Sequence, residues 1–268
     1  MYGRLKAKLR GTQTVAVVPM NGAIMSGGRL GRAFDDAALA PLIEEAFNVP
    51  GVVSVALTIN CPGGSAAQSS MIAARIRRLA EAKQVPVAAF CADVAASGGY
   101  WLACAADEIF IDQTSIVGSI GVIAAGFGFH EAIDKLGIER RVHTAGESKS
   151  MWDPFKPEEE KDVERLKHLQ GVIHDRFIAW VQERRGARLE DKPDLFTGAV
   201  WVGQEAIDCG LADGMGHVVP VMRERFGEKV TFRVLGRRRS LWERLGGPGV
   251  DHVLEEATLR SLNARFGL

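Results

Sequence analysis

Ser97 is the residue around which chemistry can be read. It stands in the run Ala95-Ala96-Ser97-Gly98-Gly99, after a strand-like stretch at 85–90 and at the head of a short apolar helix expected over 97–106. Two roles are open to a serine there. It can cap the helix through its hydroxyl, which is the commoner use. It can also act as a nucleophile, with the unpaired amides of the first helical turn stabilising negative charge beside it. A second glycine-bearing run, Ile59-Asn60-Cys61-Pro62-Gly63-Gly64, follows another strand-like stretch at 52–59. A hydroxyl and glycine backbone at the ends of two apolar strands are the parts needed for acyl transfer. The missing part is a base.

No histidine offers itself as that base. His130, His143, His168, His174, His217 and His252 have no glycine-flanked or acid-paired setting in the chain. His168 and His174 lie six apart on one expected helix and so face different ways, which excludes them as a metal pair. Cys61, Cys91, Cys104 and Cys209 form no C-x-x-C pair. They read as reduced, buried thiols in a reducing compartment. Neither a metal nor a cofactor is expected.

The elements that must hold Ser97 alternate in type. Strands are expected at 15–20, 52–59, 85–90 and 108–112, and helices at 35–47 and after Ser65, which is placed to cap the second. Strands that are apolar almost throughout belong to a mostly parallel sheet covered on both faces, with its site at the carboxyl ends of the strands. Residues 22–32, with four glycines, read as a loop, and 113–129 as strand, turn and strand. A long helix is expected to open at Pro157, to carry Leu166, Leu169, Ile173, Phe177 and Trp180 on its apolar side, and to close at Arg184, Arg185 and Gly186. A helix near 218–226, a strand at 229–235 and a helical segment near 250–266 complete the chain.

Composition sets bounds on function. Thirty-three basic residues balance thirty-three acidic ones, an unpromising balance for a nucleic-acid partner. An apolar share of 47% and a charged share of 25% suit a globular protein. The basic stretch 1–14 has no apolar run behind it and does not read as a signal peptide. No run is long and apolar enough to span a membrane. A cytoplasmic protein is expected, with at most a peripheral contact at the inner face of a membrane.

The motifs AASGGYW, GSIGVI and INCPGG, in their order along the chain, resemble those of the signal peptide peptidase A family, S49-type serine peptidases of the Clp/crotonase superfamily. The resemblance covers roughly residues 14–225. It implies an α/β fold of repeated ββα units with a mostly parallel buried sheet, here over 1–236, followed by a partly helical C-terminal extension over 237–268. INCPGG has a cysteine where the family usually has serine. GSIGVI holds no histidine, which separates the chain from the Clp-type Ser-His-Asp peptidases.

The family instead uses a Ser-Lys dyad. The resemblance assigns Ser97 as nucleophile, Lys149 in TAGESKSMWDPF as base, Ser119 as the hydroxyl supporting the lysine amine, and the amides of Gly64 and Gly98 as the oxyanion hole. To act near neutral pH, Lys149 needs its pKa lowered by about 2–3 units, and desolvation is the available means. Met151, Trp152, Phe155 and Ile123 are the apolar candidates for that, and Glu147 is expected to point to solvent.

The resemblance further implies peptide or unfolded-protein substrates, including membrane-released or signal peptides, and a ring-like homo-oligomer. The long helix and the segment 250–266 are candidate contacts. An acyl-CoA enzyme of crotonase type and a non-catalytic scaffold are the alternatives on the same fold. The first would more often place a Glu or Asp base in the pocket, and neither needs Ser97 with Lys149. The chain offers hydrophobic residues and no acidic specificity group beside the nucleophile. Cleavage of a peptide library should therefore favour small or medium apolar residues on the acyl side, and preference for Arg or Lys there would overturn that expectation.

Overall fold

The computed structural model describes residues 12–27 and 33–236, together with Ala264 and Phe266. The stretch 1–11, part of the glycine-rich loop and, but for those two residues, the extension 237–268 with its expected helix at 250–266 lie outside the described residues. The chain divides into two compact units. One combines the residues up to Gly121 with those from Phe177 onward. The other is Val122–Arg176, a division that the sequence pattern does not announce.

The larger unit is built on a sheet. Its strands are β1 (Thr14–Asn21), β4 (Val52–Cys61), β5 (Val87–Ala96), β6 (Glu108–Ile111), β7 (Ile116–Gly118), β8 (Val200–Val202), β9 (Gly214–Met215) and β10 (Thr231–Val234), while β2 (Ala23–Ile24) and β3 (Ala33–Phe34) pair separately. The order is β10-β1-β4-β5-β6-β9, with β7 beside β5 and β8 beside β7. Every pairing is parallel except β7 with β8. The expected mostly parallel α/β sheet is thus present.

Alternation along the strands explains why both faces are dry. Ala16, Val18 and Met20 of β1 and Val55, Leu57 and Ile59 of β4 join the core beneath helices Asp36–Asn48 and Ala66–Lys83. Val15, Val17, Ala56, Ala88 and Phe90 fill the opposite face, covered by Met222 of helix Val218–Phe226. Each fully buried side chain of this size contributes about 1.5–3 kcal/mol. The two helices begin as their sequences ask. Asp35 accepts from the Ala38 amide at 2.8 Å, and Ser65 accepts from the Gln68 amide.

Three boundaries differ from expectation, each for a physical reason. β5 continues past Phe90 to Ala96, because a bulge at its exposed Ala92 and Asp93 lets it leave β6 and pair with β7. The stretch 113–129 contributes only β7 as regular strand. The long helix is Glu160–Arg185 and starts three residues beyond Pro157. Its last arginines do more than close it. Arg184 Nε donates to the Cys104 carbonyl at 2.9 Å and Nη2 to that of Ala106 at 3.0 Å. These carbonyls follow directly on helix Gly98–Ala103, and the Trp180 indole donates to the Trp101 carbonyl within it at 3.1 Å. Arg185 is buried and forks onto Asp213 at 2.7 and 3.0 Å. Phe177 stacks on Trp101 with centroids 4.7 Å apart. The end of the long helix therefore clamps the short helix that follows Ser97.

The unit Val122–Arg176 contains helix His130–Lys135, the single turn Glu147–Ser150 and the first part of the long helix. Phe129 packs between Phe127 and Phe155, and Arg140 lies over the Phe155 ring while pairing with Asp153. None of its residues is buried.

Arg75 grips Asp36 through Nε and Nη2 at 2.8 and 2.7 Å, joining the first two helices. Those hydrogen bonds hold the Asp36 carboxyl below the usual carboxylate range. A depressed folded value stabilises the fold above the unfolded pKa, and the gain is lost as pH falls through the folded value. Urea denaturation should show the wild type losing stability below about pH 4 more steeply than Asp36→Asn, which lacks this proton linkage.

Candidate active site

Three strand ends meet around Ser97. The Ala96↔Gly118 pair is the last of the β5–β7 ladder, so Ser97 and Ser119 leave the sheet side by side. The Ser97 amide donates to the Gly118 carbonyl at 2.8 Å, and the Ser119 amide to the Ala199 carbonyl at 2.7 Å. The bulge in β5 makes this possible. Asn60 holds it open by donating to Asp93 at 2.6 Å and accepting from the Val94 amide, while Ser115 Oγ donates to the Ala92 carbonyl at 2.6 Å.

Ser97 is not a helix cap. Its side chain makes no capping hydrogen bond, and its backbone sits at φ 52° and ψ −122°. A residue with a Cβ is held in that region only by its surroundings, at a cost of about 1–3 kcal/mol. Ser119 shares the left-handed φ of 52°. A strained turn between strand and helix exposes a serine hydroxyl at the top of a sheet.

The Cys61–Gly64 turn fits over Ser97 and Gly98 at glycine distance. A Cβ on Gly63 would lie 2.8 Å from the Ser97 Cβ and 2.9 Å from the Gly98 nitrogen. One on Gly64 would lie 2.1 Å from the Ile24 carbonyl oxygen. The Gly64 nitrogen comes within 3.3 Å of where a Cβ on Gly98 would stand. The bridge between Ile24 and Gly64 is made by the amides of Ile24 and Ser65, and among the described residues the Gly64 amide has no acceptor. The Gly98 amide opens a helix and has no intrahelical acceptor. Two backbone donors without an acceptor among the described residues thus flank Ser97.

Sequence reasoning passed over the supports of this site. Ser69 is buried, donates from Oγ to the Ser65 carbonyl at 2.8 Å, and would lie 2.5 Å from a Cβ on Gly98. Tyr100 donates to the Leu211 carbonyl at 2.9 Å. A serine four residues after another on an expected helix carries no sign of that job. Cys61 is buried, and burial pushes its thiol up to about 12. It receives the Gly63 amide at 3.4 Å, so the thiol holds the turn in its protonated form.

Lys149 is carried by the other unit, on the turn Glu147–Ser150, and its amide donates to the Gly146 carbonyl at 3.2 Å. It is exposed, as is Glu147. Of the apolar candidates around it, Phe155 is engaged by Phe129 and Arg140, and the Trp152 indole donates to the Asp162 carbonyl at 3.1 Å. Among the described residues no His, Cys, Asp and Glu cluster could hold a metal ion.

Residues 80–227, more than half of the chain, match the model of peptidase family S49. The chain belongs to peptidase family S49. It is 47% identical over 247 residues to a Brucella melitensis protein named Na(+)/H(+) antiporter NhaA, covering 91% of this chain and 34% of that one. It is 31% identical over 219 residues to the chloroplastic serine protease SPPA of Arabidopsis thaliana, covering 77% and 32%. The chain thus spans about a third of the length of either relative. A solved structure of the membrane-bound stomatin-specific protease 1510-N, a mutant in complex with a substrate peptide, shares the fold. Its TM-score is 0.57 at 15% identity, over 91% of this chain and 99% of that one. Among the described residues of this S49 chain, no helix is long and apolar enough to cross a membrane.

The strain at Ser97 is open to measurement. Ser97→Gly should raise unfolding stability by about 1 kcal/mol, while Ser97→Ala should change it by less than about 0.5 kcal/mol, since there is no cap to lose. Gly63→Ala should cost roughly 2–4 kcal/mol through its contact with the Ser97–Gly98 backbone. Equilibrium urea unfolding checks all three, and a loss of about 1 kcal/mol in Ser97→Ala would restore the capping role.

Proposed function

We propose that this chain hydrolyses peptides through an acyl-enzyme on Ser97. The observation that carries the reading is the strained, uncapped Ser97 between two glycine amides that have no acceptor among the described residues. In this reading the Ser97 hydroxyl adds to a peptide carbonyl as the Lys149 amine takes its proton. The amides of Gly64 and Gly98 hold the oxyanion, and Ser119 steadies the lysine amine. The protonated lysine then hands its proton to the departing amine, and a water repeats the sequence to release the acyl group.

Membership in S49 supports the reading, as does the serine protease among the relatives. The names of an antiporter and of a membrane-bound protease among the similar proteins favour substrates released at a membrane, met by peripheral contact.

Ser97→Ala should abolish peptide hydrolysis while the fold stays intact. Lys149→Arg should be equally inactive, because a guanidinium keeps its proton throughout the working range. Turnover of the wild type should rise with pH, as general-base catalysis by an amine requires. Near wild-type turnover in either variant would end the dyad.

Homo-oligomerisation belongs to the same reading. In the unit Val122–Arg176 no residue is buried, yet Phe127 is 79% and Leu136 73% exposed, and Ile123 and Ile138 are exposed beside them. Apolar side chains in a unit without a core need a cover, and a ring of copies supplies one. Light scattering at micromolar concentration should find an assembly several times 29.0 kDa. A monomer active on peptides would remove the ring and leave the dyad.

A further inference from the structure

Cys209 and Lys192 form a pair that the proposed chemistry does not use. The Lys192 Nζ donates to the Cys209 Sγ at 3.3 Å. Cys209 is buried, and Lys192 is half-buried, so one end of the pair opens toward solvent. The segment carrying Lys192 is laid tightly over the cysteine. The Glu190 amide donates to the Cys209 carbonyl at 3.2 Å, and a Cβ on Gly210 would lie 1.8 Å from the Arg188 carbonyl oxygen. The lysine is also held from the other side, with Nζ 5.5 Å from the centroid of the Trp201 ring.

Burial pushes Cys91 and Cys104, like Cys61, up to about 12, which keeps them protonated and poorly nucleophilic. No lysine amine is bonded to them among the described residues. The thiolate is the form of a cysteine that peroxide attacks.

We propose that Lys192 and Cys209 are a paired oxidation site, which hydrogen peroxide closes into a covalent sulfur–nitrogen cross-link. In the first step the thiolate attacks peroxide. The O–O bond breaks, an S–O bond forms, and the departing hydroxide takes a proton from the Lys192 ammonium and leaves as water, giving a sulfenic acid beside a neutral amine. The sulfur loses two electrons and peroxide gains them. In the second step the neutral Lys192 amine attacks that sulfur. An N–S bond forms, the S–O bond breaks, and the hydroxyl departs as a second water with a proton from the amine. The net change to the protein is the loss of two hydrogens, and an added thiol reverses it.

The link has a consequence near the candidate site. It removes the positive charge from the face of Trp201 and fastens the segment that leads into Ala199. The Ala199 carbonyl holds the Ser119 amide, and the Trp201 ring would lie 3.0 Å from a Cβ on Gly118.

The test is peroxide treatment of the whole chain, a catalase quench, alkylation of the remaining thiols, proteolysis and mass spectrometry. The expected product is a Lys192 peptide joined to a Cys209 peptide, two hydrogens lighter than the sum, and released by dithiothreitol. Lys192→Arg should retain an oxidisable Cys209 and give no joined peptide. Recovery of wild-type Cys209 only as free thiol, or as acids of sulfur with Lys192 unmodified, would overturn the proposal.

Discussion

The site depends on one steric constraint, the packing of the Cys61–Gly64 turn against the backbone of Ser97 and Gly98 at distances that leave no room for a side chain. The close approach brings two amides to one place, and neither has an acceptor among the described residues. It also keeps Ser97 in a backbone conformation that a free chain would leave. The strain is offset by elements far larger than the site. β5 is anchored in the sheet on one side of its bulge and on β7 on the other. The helix after Ser97 is clamped by Phe177, Trp180 and Arg184 of the long helix. Preorganised donors of this kind need no reorganisation as charge develops, which is where their catalytic value lies.

Much of this frame was legible from the sequence. The apolar runs and helical periodicity marked the sheet and its covering helices. Ser65 was readable as a cap, because a serine before an amphipathic stretch has a local reason to be there. What was not legible follows from tertiary pairing. β5 looked finished at Phe90 because Ala92 and Asp93 interrupt the apolar pattern. They interrupt it because they form the bulge, and a bulge is defined by a partner strand. Arg185 looked like a helix end and proved to be buried against Asp213, twenty-eight residues away. The left-handed backbone of Ser97 and Ser119 could not be foreseen, since neither is a glycine.

The site residues divide in the same way. Ser97 and the glycine runs near it were readable because glycine leaves a mark in sequence, the roles of Gly64 and Ser119 came by likeness to a family, and the first unit brings these residues together. Lys149 carries no local mark. It was assigned by likeness to a family, and it belongs to the unit Val122–Arg176. The proposed nucleophile is therefore built by a parallel sheet and the proposed base by a segment with no buried residue of its own. Of the two, the nucleophile's half is specified within this chain's own core.

The central claim, that Ser97 becomes acylated, is tested most directly by trapping the intermediate. The enzyme would be mixed with an activated peptide ester, quenched in acid within its first turnovers, and mapped by mass spectrometry. The account requires the acyl group on the peptide that contains Ser97, bound through its hydroxyl oxygen. Rapid ester hydrolysis with the acyl group on another residue, or with no adduct at all under conditions where acylation outpaces hydrolysis, would contradict it.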